Sequence, residues 1–254
     1  MTSRNQNRVL ITGASYLGLQ IASALLADGA EVSLILHEDD RKRLGSLAAH
    51  IEVQVADMWN DASLRGRARN HGTVIHTVGS MLDEPKQGKT FERLNVIPSR
   101  NAANMCVSDG VSHFMFMSAV RAPWLNAKYI HSKREVETYL RKIGLKSSII
   151  RAPIVYERDT SRPILFRMMT LLGSVPLISW SHIGRMAPTP LDMIARGIAR
   201  IALNPPQQTR IFYAGDLRRL NTHDERHGRI TMSNLPVPEI QQEPILPFDI
   251  LDRQ

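Results

Sequence analysis

From Val9 to Ile150, short runs of consecutive apolar residues alternate with longer stretches in which apolar positions recur at helical spacing. The runs predict buried parallel strands, and the stretches predict amphipathic helices. Val9-Leu10-Ile11 is the first run and ends in Thr12-Gly13. Leu19 to Ala27 reads as a helix that stops at Asp28-Gly29, with Gly29 placed as a C-cap. Strands are predicted at Glu31 to Leu36, Ile51 to Ala56, Thr73 to Val78, His113 to Met117 and Ser147 to Ile150. Helices are predicted at Phe91 to Ser108 and at Tyr129 to Ile143. Strands separated by helices imply an α/β fold, a doubly wound parallel sheet with right-handed crossovers.

Beyond Arg151 the pattern loosens. Ile164 to Leu172 and Pro190 to Ala202 read as helices, and Arg210 to Ala214 as a late strand. Residues 151–220 are therefore expected to form a small substrate-side subregion of one domain, 1–220. Proline and polar residues dominate from about Leu220, so 221–254 is expected to be an extended tail without a packed core.

Composition narrows the function classes. The 254 residues include one cysteine, Cys106, which excludes an intrachain disulfide and a cysteine zinc cluster. None of the nine histidines is read as pairing with another at His-x-x-x-His spacing beside an acid, so no metal site is expected. The formal net charge is +8. Its basic residues are spread along the chain without the interleaved aromatics of a nucleic-acid binder, so a solvated basic surface is expected and no nucleic-acid partner. No run approaches the ~18 apolar residues of a spanning helix. The first strand begins near Arg8, which is read as a cytoplasmic chain, or as a mature organellar form after removal of a presequence.

The segment Ile11-Thr12-Gly13-Ala14-Ser15-Tyr16-Leu17-Gly18 joins the first strand to the first helix. Dinucleotide binding needs a tight turn there, backbone N–H groups close to a pyrophosphate, and a helix N-terminus aimed at it. Gly13 supplies the turn and Gly18 the close approach, with Ser15, Tyr16 and Leu17 between them. This makes the sheet Rossmann-type. The loop is short of a middle glycine and one further residue. An ordinary strand-to-helix turn is the plain alternative.

The end of the second strand decides which dinucleotide is bound. It carries His37, then Glu38, Asp39, Asp40, Arg41, Lys42 and Arg43. A non-acidic first residue followed by cations, Arg41 foremost, favours NADP over NAD. A solvated helix start with acids first and bases later explains the same string. Asp57 and Met58, after the third strand, suit the adenine, while Thr77, Val78 and Gly79 suit the ribose side.

Tyr129-Ile130-His131-Ser132-Lys133 sets a phenol and an ammonium on one helical face. The ammonium is expected to favour the phenolate, so that Tyr129 can serve as general acid or base, with Lys133 also anchoring a ribose. A surface helix pair is the plain alternative.

With these strings in order, the chain resembles a short-chain dehydrogenase/reductase of the extended or atypical kind. Glu92-Arg93-Leu94-Asn95-Val96 with Gly110-Val111, Arg151-Ala152-Pro153-Ile154-Val155-Tyr156, and Pro188-Thr189-Pro190-Leu191-Asp192-Met193 carry the likeness. Within that group it is most similar to the dehydrogenase-like accessory subunit of respiratory complex I and its bacterial relatives. Tyr129 to Lys133 and Gly173-Ser174-Val175-Pro176-Leu177 carry that closer match. The resemblance spans roughly residues 8–220.

It implies an oxidoreductase that passes hydride between a nicotinamide and a carbonyl or alcohol carbon. Tyr129, Lys133 and Ser118 would be catalytic, and Pro153 would join the cofactor contacts. Two departures stand out. The family's serine after the fifth strand falls on Met117-Ser118-Ala119, with Ala119 at the better-aligned position, and Glu157 stands where glycine is common. These departures keep a second reading open: a non-catalytic NAD(P)-binding accessory, assembly or sensing protein. The apolar run Pro163 to Trp180 is read as a helix packed on the core, or as a contact face for a membrane, a protein complex or an apolar substrate.

Overall fold

The computed structural model describes residues 5–152, 155–156 and 189–230. Seven parallel strands form one sheet: β1 (Asn5–Thr12), β2 (Glu31–Leu36), β3 (Glu52–Val55), β4 (His71–His76), β5 (His113–Ala119), β6 (Ser147–Ala152) and β9 (Arg210–Tyr213). Their order is β3-β2-β1-β4-β5-β6-β9. The direction of winding reverses between β1 and β4, which opens a crevice above the carboxyl ends of these two strands.

Strand alternation sorts the core into two layers. Val9 and Ile11 of β1 and Met115 of β5 join Leu19, Leu25, Ile194 and Ile198. These come from α1 (Tyr16–Ala27) and α5 (Leu191–Leu203). On the other face Leu10, Val74, Phe114 and Phe116 meet Ala102, Cys106, Val136 and Leu140. That layer belongs to α3 (Ile97–Asp109) and α4 (Ala127–Lys142), with the short α2 (Asp61–Leu64) alongside. The long apolar runs read as strands because β1, β4 and β5 are buried on both faces.

Three expectations change. The predicted Phe91 to Ser108 helix is divided: Glu92–Val96 is a π-helical turn, in which Ile97 N bonds Glu92 O, and α3 follows. Pro98 explains the break, because it has no N–H to donate to the preceding turn.

Of the expected 151–220 subregion, much of the described part joins the sheet layer. α5 presses an apolar face on α1, and β9 extends the sheet beside β6. Only β7 (Val155–Tyr156) and β8 (Thr189–Pro190) form a separate described pair. The predicted helix Ile164 to Leu172 lies outside the described residues.

The expected tail is not extended at its start. After α6 (Ala214–Arg219), the short α7 (His223–Arg226) folds back on α5. Asn221 Nδ2 donates to Met193 O at 3.0 Å and Leu217 O at 2.8 Å, and Arg200 grips the Glu225 carboxylate with both terminal nitrogens at 2.8 and 2.6 Å. Buried polar partners hold this segment where an apolar pattern does not. Among the described residues, no helix is long and apolar enough to cross a membrane.

Candidate functional site

The carboxyl ends of the strands bring most of the predicted residues to one edge. At the β1–α1 turn, Gly13 has φ +95° and its N–H donates to Ile35 O at 2.7 Å, tying the turn to β2. An L side chain is strained there, and its Cβ would stand 2.7 Å from Val78 Cγ2. Ser15 caps α1 by accepting from Gly18 N at 3.1 Å. A Cβ on Gly18 would lie 2.8 Å from Gly13 O and 2.9 Å from Thr77 Oγ1, so helix, turn and β4 close on one another only at glycine. Thr77, expected on the ribose side, has another task. Its hydroxyl donates to Thr12 O at 2.9 Å and Gly13 O at 3.1 Å, bracing the turn.

The adenine and ribose-selecting positions are on the neighbouring strand ends. Asp57 follows β3, with Oδ1 accepting from Trp59 N at 2.8 Å, and Met58 beside it is buried. His37 caps the 3-10 segment Glu38–Ala49 that follows β2, and its Nδ1 lies 3.1 Å from Asp39 Oδ2. Arg41 and Arg43 face acids of their own segment, Glu38 at 3.6 Å and Asp40 at 3.0 Å. Pro153 lies outside the described residues.

The Tyr129–Lys133 pair is buried on α4. Lys133 Nζ sits 5.7 Å from the Tyr129 ring centroid and 5.2 Å from that of Phe116. A Cβ on Gly79 would meet this ammonium at 3.0 Å, which places it at the exit of β4. Burial pulls Lys133 down to about 8. Among the described residues no acceptor hydrogen-bonds it. Burial also pushes the Tyr129 phenol up to about 12, against the pull of Arg134. The expectation that Lys133 activates the phenolate is thus corrected: desolvation dominates, and the opposing charge is Arg134.

Ser118 is likewise corrected as a substrate contact. Its hydroxyl donates to Glu137 Oε1 at 2.6 Å and accepts from Arg134 Nη1 at 2.9 Å. Ala119, the next residue along β5, packs with Tyr129 and Phe91.

Sequence reasoning misses several residues that build this end. Asn95, fully buried in the π-helical turn, holds the loop after Gly79 by accepting from Ser80 N at 3.0 Å and donating to Ser80 O at 2.8 Å. His76 is fully buried, pulled to about 3 by burial and then by the charge of Lys133, and its Nδ1 is 2.7 Å from Thr12 Oγ1. Glu137 receives Arg134 Nη1 at 2.5 Å, and Arg151 through Nη2 at 2.5 Å and Nε at 3.0 Å. Burial pushes that carboxyl up, but hydrogen bonds from Arg151 and Ser118 and the two guanidinium charges hold it below its ordinary range. A signal is present in the sequence: an acid on the core-facing stripe of α4, one turn after Lys133, demands buried cations.

The histidines also need one correction. His223 and His227 are four residues apart at a ring-centroid distance of 4.2 Å. Among the described residues no group of three or more His, Cys, Asp or Glu side chains gathers around a point that would hold a metal.

Residues 13–174, more than half of the chain, match the model of a family described as NAD(P)H-binding. No curated protein matches the chain. Among solved structures, the Bordetella bronchiseptica enzyme WbmH in complex with NAD+ aligns with a TM-score of 0.59 at 18% identity, over 82% of this chain and 76% of that one. The Thermus thermophilus UDP-glucose 4-epimerase complex with NAD aligns at 0.59 and 18%, over 84% and 80%. Streptomyces venezuelae DesIV, a dTDP-glucose 4,6-dehydratase with NAD and TYD bound, aligns at 0.58 and 18%, over 81% and 74%. At that identity the structures establish the shared fold. With the glycine turn, the strand order and the family match together, the chain belongs to the NAD(P)H-binding family of Rossmann-type proteins.

Proposed function

We propose that the chain is an NAD(P)-dependent oxidoreductase of the atypical short-chain dehydrogenase/reductase type, acting on a carbonyl or alcohol carbon. The observation that carries this reading is the buried Lys133 ammonium beside Tyr129, without an acceptor among the described residues, at the crevice that opens above the glycine turn. A buried ammonium needs acceptors, and the hydroxyls of a nicotinamide ribose are acceptors of the right kind. Gly13 and Gly18 let strand, turn and helix N-terminus close tightly, the arrangement that receives a pyrophosphate in dinucleotide-binding folds.

A bound dinucleotide would supply the hydride donor or acceptor. Gly13 to Gly18 would hold its pyrophosphate, Asp57 and Met58 its adenine, and Lys133 its nicotinamide ribose. Tyr129 would give a proton to the substrate oxygen in reduction, which its raised pKa suits. In the reverse direction Arg134 is the cation that favours the phenolate.

His37 and the cations that follow it support a preference for NADP over NAD. The likeness to the complex I accessory subunit rests on Tyr129 to Lys133 and on Gly173 to Leu177, of which the second lies outside the described residues. So does the apolar stretch 163–180, kept as a candidate face for an apolar substrate, a membrane or a partner protein.

One observation favours the second reading, a cofactor-binding accessory or sensing protein: Ala119 occupies the space against Tyr129 where a catalytic serine is expected. Three variants separate the two. Tyr129→Phe removes the proton and keeps the ring, so an oxidoreductase should lose about two to four orders of magnitude in turnover while holding cofactor normally. Lys133→Ala should lose turnover and affinity together. If Tyr129→Phe restores function to a deletion strain and Gly18→Val does not, the second reading holds.

A further inference from the structure

We propose that Arg134 is a substrate-specificity residue and that the substrate presents it an anionic group, a carboxylate or a phosphate. The inference rests on the oxidoreductase reading of the Tyr129 site and names the class of substrate that site takes.

Arg134 and Arg151 converge on one carboxylate, Glu137, whose side chain is 1% exposed. Among the described residues no other acid pairs with either guanidinium. Ser118 and the Tyr213 hydroxyl, the remaining side-chain partners, are neutral. Among the described residues the cluster therefore sets two guanidinium charges against one buried carboxylate.

Position comes next. Ser118 and Arg151 are paired in register near the carboxyl ends of β5 and β6, and Tyr213 ends β9. This is the edge on which open α/β sheets bind ligands. Arg134 Nη2 donates to Ala119 O at 2.8 Å, and the Ala119 side chain packs on Tyr129. Arg134 thus reaches the wall of the tyrosine pocket.

Rigidity and access complete the case. Arg151 binds Glu137 with two nitrogens and is 20% exposed, so it is committed to the carboxylate. Arg134 touches Glu137 through Nη1 alone, is held by Ser118 and Ala119, and keeps 29% of its side chain exposed. The two arginines are therefore unequal. One neutralises the buried acid, and the other is fixed by Ser118, Glu137 and Ala119 while part of its side chain stays exposed. A guanidinium held in this way is suited to a planar carboxylate or a phosphate and poorly suited to a neutral carbonyl compound.

The test uses full-length protein, with and without saturating NADP+. Calorimetry measures binding of two matched pairs of probes: 2-oxobutyrate against butanone, and dihydroxyacetone phosphate against dihydroxyacetone. Wild type should bind at least one anion about ten- to a hundredfold more tightly than its neutral match. The pair that shows the preference says whether carboxylate or phosphate is the group recognised. Arg134→Met should abolish the preference while NADP+ affinity stays within about twofold. Arg134→Lys should restore it in part, which a merely structural role for the residue would not produce. A melting curve for each variant, with Arg151→Met as the destabilised reference, shows that the loss is not unfolding.

Equal affinity for anion and neutral probe in wild type overturns the proposal, as does a preference that survives Arg134→Met or a failure to bind either anion. Dinucleotide binding without Arg134-dependent anion binding defeats this inference alone. Arg134-dependent anion binding without dinucleotide binding defeats the oxidoreductase reading alone.

Discussion

The two ends of the crevice are built from different materials. The end at β1 and α1 is made of absences: no side chain at Gly13, none at Gly18, and a Thr77 hydroxyl that satisfies turn carbonyls. The end at β5, β6 and α4 is made of buried charge: Lys133 without an acceptor among the described residues, and Glu137 under two arginines. The first is a local device, complete within a few residues of chain and one neighbouring strand. The second joins side chains as distant in sequence as Ser118, Glu137, Arg151 and Tyr213. Local devices preorganise a site cheaply, whereas buried charges hold it in a state that a ligand can relieve.

The seam between the two ends is the first place to break the comparison, because the largest effect is expected there. His76 meets Thr12 Oγ1 on the glycine side and stacks against Phe114 and Phe116 on the other, at centroid distances of 6.1 and 6.4 Å. Burial, with help from Lys133, lowers its pKa from 6.5 to about 3, and burial with help from Lys146 lowers His113 to about 4. Between those values and 6.5 the unfolded chain binds protons that the folded chain refuses, so stability falls as pH falls through that window. From pH 7 to pH 5 the two histidines should together remove about 4 kcal/mol, before carboxylates begin to titrate. Guanidinium midpoints at several pH values measure this. An unchanged midpoint down to pH 5 would remove the seam from the argument.

The glycine end is tested by filling it. Gly18→Val places a branched side chain where even a Cβ meets Gly13 O at 2.8 Å. The carbonyl cannot yield without moving the turn that Ile35 O and Thr77 hold. Dinucleotide affinity should fall at least about a hundredfold, with ~1–3 kcal/mol lost from the fold through overpacking. Fluorescence titration reads the first and denaturant unfolding the second. Retained affinity would mean that the phosphates sit elsewhere.

These two ends are not equally legible in the sequence. Glycines, caps and apolar runs act over a few residues, so the turn, Ser15 within it and all seven strands of the sheet can be read from their own strings. The extent of α4 is close, Tyr129 to Ile143 against Ala127–Lys142, because its stripe is periodic. The charge cluster is not legible, because each of its members looks like an ordinary surface residue until the sheet brings it to the others. Ser118 is assigned by its place after β5, and its partners on α4 are out of sight of that argument. The beginning of the tail fails for the same reason: Asn221 and Glu225 are anchored by α5, a helix far back in the chain.

The charged end is tested by removing its charge. Lys133→Met keeps the length of the side chain and deletes an ammonium that burial holds at about 8 instead of 10.5. At pH 7 the cofactor-free variant should be more stable than wild type by about 2–3 kcal/mol, and it should bind dinucleotide poorly. The sign has a pH signature. Between about 8 and 10.5 the unfolded chain holds the proton more tightly than the folded one, so wild-type stability rises across that window and the variant's advantage shrinks. A destabilised Lys133→Met protein would show that the ammonium is already well partnered and that the charged end is not waiting for a ligand.

The smallest effect concerns cofactor choice at the margin of the glycine end. Arg41 and Arg43 are exposed and already face Glu38 and Asp40 across 3.6 and 3.0 Å. Exposed ion pairs of this kind contribute about 0–1 kcal/mol, so turning one cation toward a 2′-phosphate gains little. His37 is itself tied to Asp39 at 3.1 Å. NADPH should therefore bind more tightly than NADH by about fivefold, roughly 1 kcal/mol. Raising ionic strength should shrink the difference, since the contributing charges are solvent-facing. Glu38→Gln frees Arg41 from its partner and should widen it, while Arg41→Gln should nearly erase it. Competitive titration of both cofactors against each variant gives the ratios. A preference for NADH, or one indifferent to Arg41, would move the selecting contact away from β2 altogether.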